Sequence, residues 1–297
     1  MTLALVFPGQ GSQRPGMGEP WVGDAGWSLV ERAGVVLGSD VERLLLDADA
    51  DELAGTAAAQ VSTYLVSLLA WQALSPLTVS VVAGHSLGEI TALVAGGVLT
   101  VEDGLALVAA RGAAMQSAVD VAPGTMAAVL GLAEDAVDDV CRDLPDVWTA
   151  NYNAPSHVVI SGTATGVEAA AAPLRQAGAR RVLPLPVGGA FHTPLMEPAR
   201  SALESALSRA AYTEPSVPVL SGARVAPYPA DVAATLSEQL TAPVRWRQVL
   251  EQFQAYDVDT VVEVGPGGVL AGLVRRTLPG VRVLSVATPD DVALLGG

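Results

Sequence analysis

The chain of 297 residues carries 16 basic and 31 acidic side chains, a formal net charge of −15, and 51% of its residues are apolar. This balance argues against nucleic-acid binding through a basic face, and the apolar content excludes a disordered chain. Every basic residue is an arginine and Cys141 is the one cysteine, which excludes a catalytic lysine, a disulfide framework and a thiolate metal site.

The first predicted elements are a buried strand and a helical region. Residues 2–7 form a short apolar run that stops at the sequence PGQG, residues 8–11, which indicates a strand that enters a glycine loop. Residues 24–50 have a helical pattern. Met1 stands directly before the strand-like run, with no leader pattern. We therefore expect a cytoplasmic protein.

Residues 61–74 form the densest apolar helix candidate and raise the question of a membrane span. Four polar side chains interrupt this segment and Pro76 stops it. The segment therefore falls short of the roughly 20 apolar residues that a span requires. We predict a buried core helix and no contact with a membrane.

The strongest local signal is the sequence GHSLG at residues 84–88. It follows residues 78–83, which are rich in β-branched side chains, and it precedes a predicted helix. A G-x-S-x-G sequence between a strand and a helix is typical of a nucleophile elbow, in which a tight turn exposes the hydroxyl of Ser86. The N-terminus of the helix then directs free N–H groups to the position where negative charge develops. A further helix is predicted over residues 101–118, entered through Thr100.

A serine nucleophile needs a base, and the chain has three histidines. His85 precedes the serine, and its side chain should point away from it. His157 begins a predicted strand, whereas His192 lies in the loop GAFHTP, residues 189–194, and this placement favours His192. No aspartate occupies an obvious triad position, so we expect a backbone carbonyl to orient the base.

Residues 122–188 have the pattern β-α-β-β-α-β of a ferredoxin-like unit. Its predicted elements are strand 125–131, helix 134–144, strands 148–153 and 157–161, helix 166–176 and strand 181–187. We expect this small subdomain to be inserted into a larger α/β subdomain formed by residues 1–121 and 189–297. The larger subdomain includes a further buried strand at Thr260–Val264.

Five motifs that follow one another along the chain are together very specific. They are FPGQGSQ at 7–13, GHSLGE at 84–89, RG followed by MQ within 111–116, GAFH at 189–192 and EVGPG at 263–267. On these motifs the chain resembles the malonyl-CoA:acyl carrier protein transacylases, or a discrete acyltransferase of polyketide or fatty acid biosynthesis, over nearly its whole length. The resemblance implies an α/β-hydrolase-like large subdomain that carries a ferredoxin-like small one.

The resemblance also implies a reaction. A malonyl group moves from CoA to a serine and then to the phosphopantetheine thiol of an acyl carrier protein, with no bound cofactor and no metal. Ser86 matches the nucleophile, and His192 matches its base, which the main-chain carbonyl of Gln239 orients. The backbone N–H groups of Gln10 and Leu87 match the oxyanion hole.

Selection of the acyl group is implied at further positions. Arg111 matches the arginine that binds the malonyl carboxylate, as a planar guanidinium can do with two parallel hydrogen bonds. Phe191 matches a position at which a bulky ring excludes 2-substituted malonyl groups. The positions that match the lining of the pocket are Gln60, Asn151 and Val269. His157 stands where the family often has glutamine, which leaves the contacts with the acyl group or the pantetheine open there.

Alternative functions remain open beside malonyl transfer. A hydrolase of the same fold could remove stalled acyl groups from carrier proteins, although a buried Arg111 would have no use there. An acyltransferase for an unusual acyl group, moved between carrier proteins, is motivated by His157. A purely non-catalytic docking role would leave Ser86 and His192 without a use.

The net negative charge of the chain disfavours binding to an acyl carrier protein, because acyl carrier proteins are acidic too. At physiological ionic strength charges are screened over about 8 Å, so a local basic patch can dominate the encounter. The candidates for this patch are Arg180, Arg181, Arg245, Arg247, Arg275 and Arg276. We expect the protein to be a monomer.

Overall fold

The computed structural model describes residues 2–74 and 76–293. Met1 and Gly297, the ends of the predicted large subdomain, lie outside the described residues. The described strands are β1 (Leu3–Phe7), β2 (Val81–Gly84), β3 (Thr125–Leu130), β4 (Val147–Ala154), β5 (His157–Gly162), β6 (Arg181–Pro184), β7 (Val219–Ser221), β8 (Ala226–Pro227), β9 (Thr260–Val264) and β10 (Arg282–Val286).

Helices pack against both sheets of the structure. They are α1 (Ser28–Leu37), α2 (Val41–Leu46), α3 (Ala50–Ala54), α4 (Thr56–Ala73), α5 (Gly88–Ala95), α6 (Val101–Val121), α7 (Glu134–Arg142), α8 (Ala164–Gln176), α9 (Glu197–Arg209), α10 (Val232–Gln239), α11 (Trp246–Gln252), α12 (Val269–Thr277) and α13 (Pro289–Val292). Short 3₁₀ helices lie at Glu19–Trp21, Ala25–Trp27, Pro194–Met196 and Phe253–Tyr256.

The large sheet has the strand order β10-β9-β1-β2-β7-β8. Its neighbouring strands are parallel, except that β8 is antiparallel to β7. Every residue of β1, β2 and β9 is buried, which explains why these strands are continuous apolar runs rather than alternating ones. Since parallel strands end at the same edge of a sheet, the loops after Phe7, Gly84 and Val264 lie together there.

The small sheet is antiparallel and has the order β4-β5-β3-β6. Together with α7 and α8 it follows the β-α-β-β-α-β order, so the predicted fold class is confirmed. Side chains alternate between the two faces of β3. Those of Ala127 and Val129 therefore pack with α7 and α8, whereas that of Met126 packs with the large subdomain. We propose that the small subdomain is residues 122–188.

The region predicted to be helical at residues 24–50 is divided into short pieces. Helix α1 ends at Gly38, which has the left-handed φ of 59° that a glycine adopts without a steric cost. The side chains of Asp40 and Asp49 accept hydrogen bonds from the first turns of α2 and α3, and so each begins a new helix. One continuous helical pattern in the sequence thus hides local stop and start signals.

Helix α4 contains the apolar segment that raised the question of a membrane span. It extends from Thr56, five residues before the predicted start, and nearly all of its middle residues are buried in the core. In the described parts of the chain, no helix combines the length and the apolar character that crossing a membrane requires.

Candidate active site

Ser86 lies in the turn between β2 and α5, with an unusual backbone conformation. Its φ is 54°, a region that non-glycine residues rarely occupy. A Cβ atom at Gly84 would overlap the backbone of Gly88, and one at Gly88 would overlap the carbonyl of Phe7. The two glycines of the motif are therefore required by close approach of the backbone, and the strain at Ser86 is of the kind that persists at functional sites.

Ser86 and His192, 106 positions apart, form a hydrogen-bonded pair. Ser86 Oγ lies 2.8 Å from His192 Nε2. His192 Nδ1 lies 3.0 Å from the carbonyl oxygen of Gln239 and 3.2 Å from that of Ala242. Because both of these groups can only accept, we assign the proton to Nδ1, which leaves Nε2 free to accept the proton of the Ser86 hydroxyl.

Burial and the positive charge of Arg111 lower the pKa of His192 to about 3. At neutral pH the ring is therefore uncharged. A general base must be unprotonated to act, so the pair is ready for proton transfer without a carboxylate to balance an imidazolium.

We expect this lowered pKa to be visible in the pH dependence of the first chemical step. The rate constant for acylation of Ser86 in a single turnover should stay flat below pH 6.5, because a base with a depressed pKa stays unprotonated to lower pH. Glu89 titrates in the same range, since burial raises the pKa of its carboxyl to about 7. The Glu89→Gln variant removes that contribution, and a decline centred near pH 6.5 in this variant would contradict the assignment.

Arg111 on α6 is 3% exposed and faces the nucleophile. Its Nη1 donates to Gln60 Oε1 at 2.8 Å, and its Nη2 donates to Ser86 Oγ at 3.1 Å. Nη2 also donates to Gln239 Oε1 at 3.2 Å. Burial lowers the pKa of Arg111 to about 10, which keeps the guanidinium charged at neutral pH.

No salt bridge to Arg111 exists among residues 2–74 and 76–293. A buried cation whose contacts are neutral amides and a hydroxyl is costly unless an anion completes the site. The arrangement therefore favours a ligand that brings a carboxylate beside Ser86.

Glu89, on the first turn of α5, is a buried residue that the sequence analysis did not select. Its carboxylate accepts hydrogen bonds from the backbone N–H of Gly222 at 3.0 Å and from the hydroxyl of Tyr228. Its charge interacts with that of Arg111. The signal that could have found it is the one charged residue in the helix GEITALVA, whose other residues are apolar apart from Thr91.

Gln239 forms hydrogen bonds with both Ser86 and His192. Its side-chain Nε2 donates to the carbonyl oxygen of Ser86 at 2.9 Å, and its own carbonyl orients His192. The structure thus places Gln239 beside both members of the pair, at the C-terminal end of α10.

Two backbone N–H groups stand free beside the pair. Within the described residues, neither Gln10 N–H nor Leu87 N–H donates to any acceptor. Both lie directly after neighbouring strands, since Phe7 pairs with Gly84 and His85 N–H donates to the carbonyl of Phe7. Both N–H groups therefore lie at the edge of the sheet that carries Ser86.

These groups open into a cavity of about 300 Å³ between the edge of the large sheet and the small subdomain. Four further residues of the predicted pocket line its wall: Asn151, His157, Phe191 and Val269. Gln60, which the resemblance to the family placed in the pocket lining, is not among the residues that line this cavity. Gln60 is fully buried on α4, and its side-chain Oε1 accepts the hydrogen bond from Arg111 Nη1.

The arginines expected to form a basic patch are not equivalent. Arg247 makes salt bridges of 2.7 Å to Glu134 and 2.8 Å to Glu251, so its charge is already neutralised. It is therefore a poor docking residue. The exposed candidates are Arg180, Arg181, Arg245, Arg275 and Arg276.

Comparison with known proteins finds relatives that match almost the whole chain. The family of the acyl transferase domain matches residues 4–291. The malonyl CoA-acyl carrier protein transacylase of Bacillus subtilis is 38% identical over 302 residues, which cover 98% of this chain and 95% of that protein. The protein of the same name from Escherichia coli K12 is 36% identical, with coverages of 98% and 97%.

Solved structures agree with the sequence relatives. The acyl-carrier-protein S-malonyltransferase of Bartonella henselae superposes with a TM-score of 0.94 at 37% identity, covering 99% of this chain and 98% of that one. A malonyl-transacylase solved in complex with a type II polyketide synthase acyl carrier protein gives 0.94 at 33% identity, with coverages of 99% and 98%.

Proposed function

The chain belongs to the acyl transferase domain family, and we propose that it transfers a malonyl group from CoA to the phosphopantetheine thiol of an acyl carrier protein. The observation that carries the proposal is the buried guanidinium of Arg111, which makes no salt bridge within the described residues and whose Nη2 lies 3.1 Å from Ser86 Oγ. A malonyl thioester has the two groups that this site can use, a reactive carbonyl and a carboxylate a short distance from it.

In the first half-reaction Ser86 Oγ attacks the thioester carbonyl while its proton passes to His192 Nε2. The carbonyl oxygen becomes an oxyanion, which the N–H groups of Gln10 and Leu87 stabilise. The C–S bond then breaks, and the CoA sulfur leaves with the proton from His192. The product is a malonyl ester on Ser86, with Arg111 bound to its free carboxylate.

In the second half-reaction the thiol of phosphopantetheine replaces CoA in the cavity. His192 takes the proton of the thiol, and the sulfur attacks the ester carbonyl. The ester C–O bond breaks and Ser86 Oγ regains the proton from His192. Each step is a proton transfer or an exchange of one acyl bond, so the cycle consumes no other reactant.

Arg111 also separates this function from a hydrolase that edits carrier proteins. An editing pocket for uncharged acyl chains would bring no anion into direct contact with the guanidinium, which would remain a buried cation without a salt bridge. The same reasoning favours malonyl over an unusual acyl group that lacks a carboxylate. Phe191 on the cavity wall restricts the space available to a substituent on the malonyl carbon.

Mass spectrometry of the intact protein tests the proposal directly. After brief exposure to malonyl-CoA we expect a malonyl adduct on Ser86, little adduct with acetyl-CoA, and none on the Ser86→Ala variant. Addition of a holo carrier protein should discharge the adduct much faster than water does. A folded protein that acquires no malonyl adduct, or that loses it mainly to water, would count against malonyl transfer.

The carrier protein is proposed to dock on a basic edge of the small subdomain. His157 and Arg181 both pair with Leu130, so these residues lie side by side across the sheet, next to the cavity wall. Arg180 and Arg181 are exposed there and make no salt bridge in the described part of the chain. We retain a cytoplasmic monomer as part of this proposal.

Reversing charge at this edge should weaken the second half-reaction alone. The variant Arg180→Glu with Arg181→Glu is expected to raise the KM for an acidic holo carrier protein about tenfold at low salt, and less at high salt because the attraction is screened. Acylation by malonyl-CoA should change little. The matched control is Arg175→Glu, an exposed residue on α8, and an equal effect in this control would refute a local docking edge.

A further inference from the structure

Glu89 carries a fully buried carboxylate that the proposed reaction does not use. It lies in the first turn of α5, which directly follows the turn of Ser86. Its Oε1 accepts a hydrogen bond from the backbone N–H of Gly222 at 3.0 Å, and its Oε2 accepts one from the hydroxyl of Tyr228. Neither donor is charged, and no cation among the residues that the structure describes forms a salt bridge with Glu89. Ionisation of this carboxylate is therefore costly.

The positive charge that acts on Glu89 belongs to Arg111, on the neighbouring helix α6. The side-chain amide of Gln239 contacts both groups. Its Oε1 accepts a hydrogen bond from Arg111 Nη2 at 3.2 Å, and the same amide interacts with the Glu89 carboxylate. Each of the two buried charges stabilises the other. Glu89 thus compensates part of the charge of Arg111, while Arg111 still lines the cavity.

A carboxylate that binds Arg111 from the cavity would bring a second anion to one buried cation. This ligand would contact the guanidinium directly, whereas Glu89 acts on it without a salt bridge, so the ligand would have the stronger attraction. The two carboxylates would also repel each other, and repulsion of this kind raises the pKa of one of them. Glu89 is the group that becomes neutral, because burial already raises the pKa of its carboxyl to about 7.

The hydrogen bonds of Glu89 suit the neutral acid as well as the carboxylate. The backbone N–H of Gly222 can only donate, so Oε1 remains an acceptor. The hydroxyl of Tyr228 can donate or accept, so a proton on Oε2 can be donated to it once the hydroxyl has rotated. Uptake of a proton therefore leaves both contacts in place. A glutamine at position 89 could make the same two contacts without a charge.

The other titratable groups on the elements that pack against α5 are few. The strands β1, β2 and β7 carry none, and α4 carries only Tyr64, whose hydroxyl donates to a main-chain carbonyl of α6. On the segment after β7, Arg224 forms a salt bridge with Glu238 at the surface. The charged residues of α6 besides Arg111 lie in its first and last turns, and they are Glu102, Asp103 and Asp120.

Two histidines also lie near the turn that carries Ser86. Burial is the main cause that lowers the pKa of both His85 and His192. Both rings are therefore uncharged over the range in which Glu89 titrates. A change in malonyl binding near neutral pH is thus assigned to Glu89.

We propose that Glu89 takes up one proton from solvent when the carboxylate of a malonyl group binds Arg111, and that Glu89 is a positioning residue which acts on the substrate through Arg111. This inference rests on the proposed malonyl transfer, because it needs a substrate with a free carboxylate. A ligand whose binding raises the pKa of a group binds more tightly when that group is protonated. The affinity for a malonyl group is therefore full below the pKa of Glu89 and declines as the pH rises through it. An acetyl group brings no carboxylate and shows no such decline.

The test measures binding of malonyl-CoA and of acetyl-CoA by titration calorimetry between pH 6 and pH 8. The parent protein is Ser86→Ala, in which no acyl group can be transferred. The two thioesters carry the same phosphates, so titration of CoA cancels from the ratio of their dissociation constants. Glu89→Gln and Tyr228→Phe are added to this parent. The matched control is Glu204→Gln, which removes an exposed carboxylate on α9.

In the parent, we expect the preference for malonyl-CoA over acetyl-CoA to fall roughly fivefold between pH 6 and pH 8, as uptake of one proton requires. With Glu89→Gln the preference should stay at its low-pH value throughout, so this variant should bind malonyl-CoA more tightly than the parent at pH 8. Damage to the fold would not raise an affinity. With Tyr228→Phe the decline should move to higher pH, because the ionised carboxylate loses a hydrogen bond. Glu204→Gln should behave as the parent does.

A preference that is independent of pH in the parent would overturn the inference. The same decline in Glu89→Gln would overturn it as well, because another group would then titrate, and so would a decline that Tyr228→Phe leaves at the same pH. The proposed function fails separately, if the protein with Ser86 intact acquires no malonyl adduct. A protein that forms the adduct but shows no pH-dependent preference loses only the role of Glu89.

Discussion

Replacing Arg111 by glutamine is expected to lower kcat/KM for malonyl-CoA by roughly thirtyfold to several thousandfold, which corresponds to about 2–5 kcal/mol for an unpaired buried charge. The loss arises because the malonyl carboxylate would enter the cavity without its cation. Glutamine can still donate a hydrogen bond, so Ser86 keeps a polar neighbour. Steady-state kinetics with malonyl-CoA and acetyl-CoA measure the effect.

The comparison between the two substrates separates substrate binding from damage to the fold. Acetyl-CoA lacks the carboxylate, so the rate with acetyl-CoA should hold steady or rise as that with malonyl-CoA falls. The matched control is Arg32→Gln on α1, where a salt bridge of 3.6 Å to Glu102 joins two half-exposed side chains and contributes little. Parallel losses with both substrates in Arg111→Gln would show that Arg111 supports the fold rather than the carboxylate.

The nucleophile could be predicted from the sequence because its requirements are local. The spacing of Gly84, Ser86 and Gly88 follows from backbone contacts within one turn, and the strand and helix on either side are visible as patterns. The small subdomain was predictable for a similar reason. Its strands pair with near neighbours along the chain, so each element can be recognised with its partner close by.

The environment of Arg111 could not be predicted in the same way. Glu89 matters because it meets Gly222 and Tyr228, which lie 133 and 139 positions further along the chain. No local pattern reports such contacts. Gln60 illustrates the same limit. The resemblance to the family placed it in the pocket lining, but in the structure its side chain lies against Arg111, where α4 packs against α6.

Two short strands at one side of the large sheet were also missed. The strand β7 has three residues and β8 has two, and neither has the length at which a pattern of apolar residues becomes recognisable. The predicted strand 78–83 begins only at Val81 for a related reason, since β-branched residues also occur in the loop that leads into a buried strand. Tertiary pairing decides these boundaries, and the sequence shows only which residues are compatible with it.

Replacing His192 by alanine is expected to slow acylation of Ser86 by about 10⁶-fold, as removal of the base does in other serine enzymes. The hydroxyl itself should remain in place, because Arg111 Nη2 still donates to Ser86 Oγ at 3.1 Å. The free N–H groups of Gln10 and Leu87 are also untouched, so a residual rate from oxyanion stabilisation should persist. Single-turnover formation of the malonyl adduct measures this rate.

The pH dependence of the residual acylation rate in His192→Ala shows whether the variant has lost the general base. In the wild type the base is already unprotonated at neutral pH, since the pKa of His192 is lowered to about 3 by burial and by Arg111, and the rate should be flat. In His192→Ala the proton of Ser86 has only solvent to accept it, so the rate should rise with pH above 7. His192 has a φ of 59°, and alanine there meets the same backbone strain, so thermal unfolding should change little from this cause. A variant that unfolds at the wild-type temperature, retains most of the wild-type rate and shows no rise with pH would mean that another group accepts the proton of Ser86.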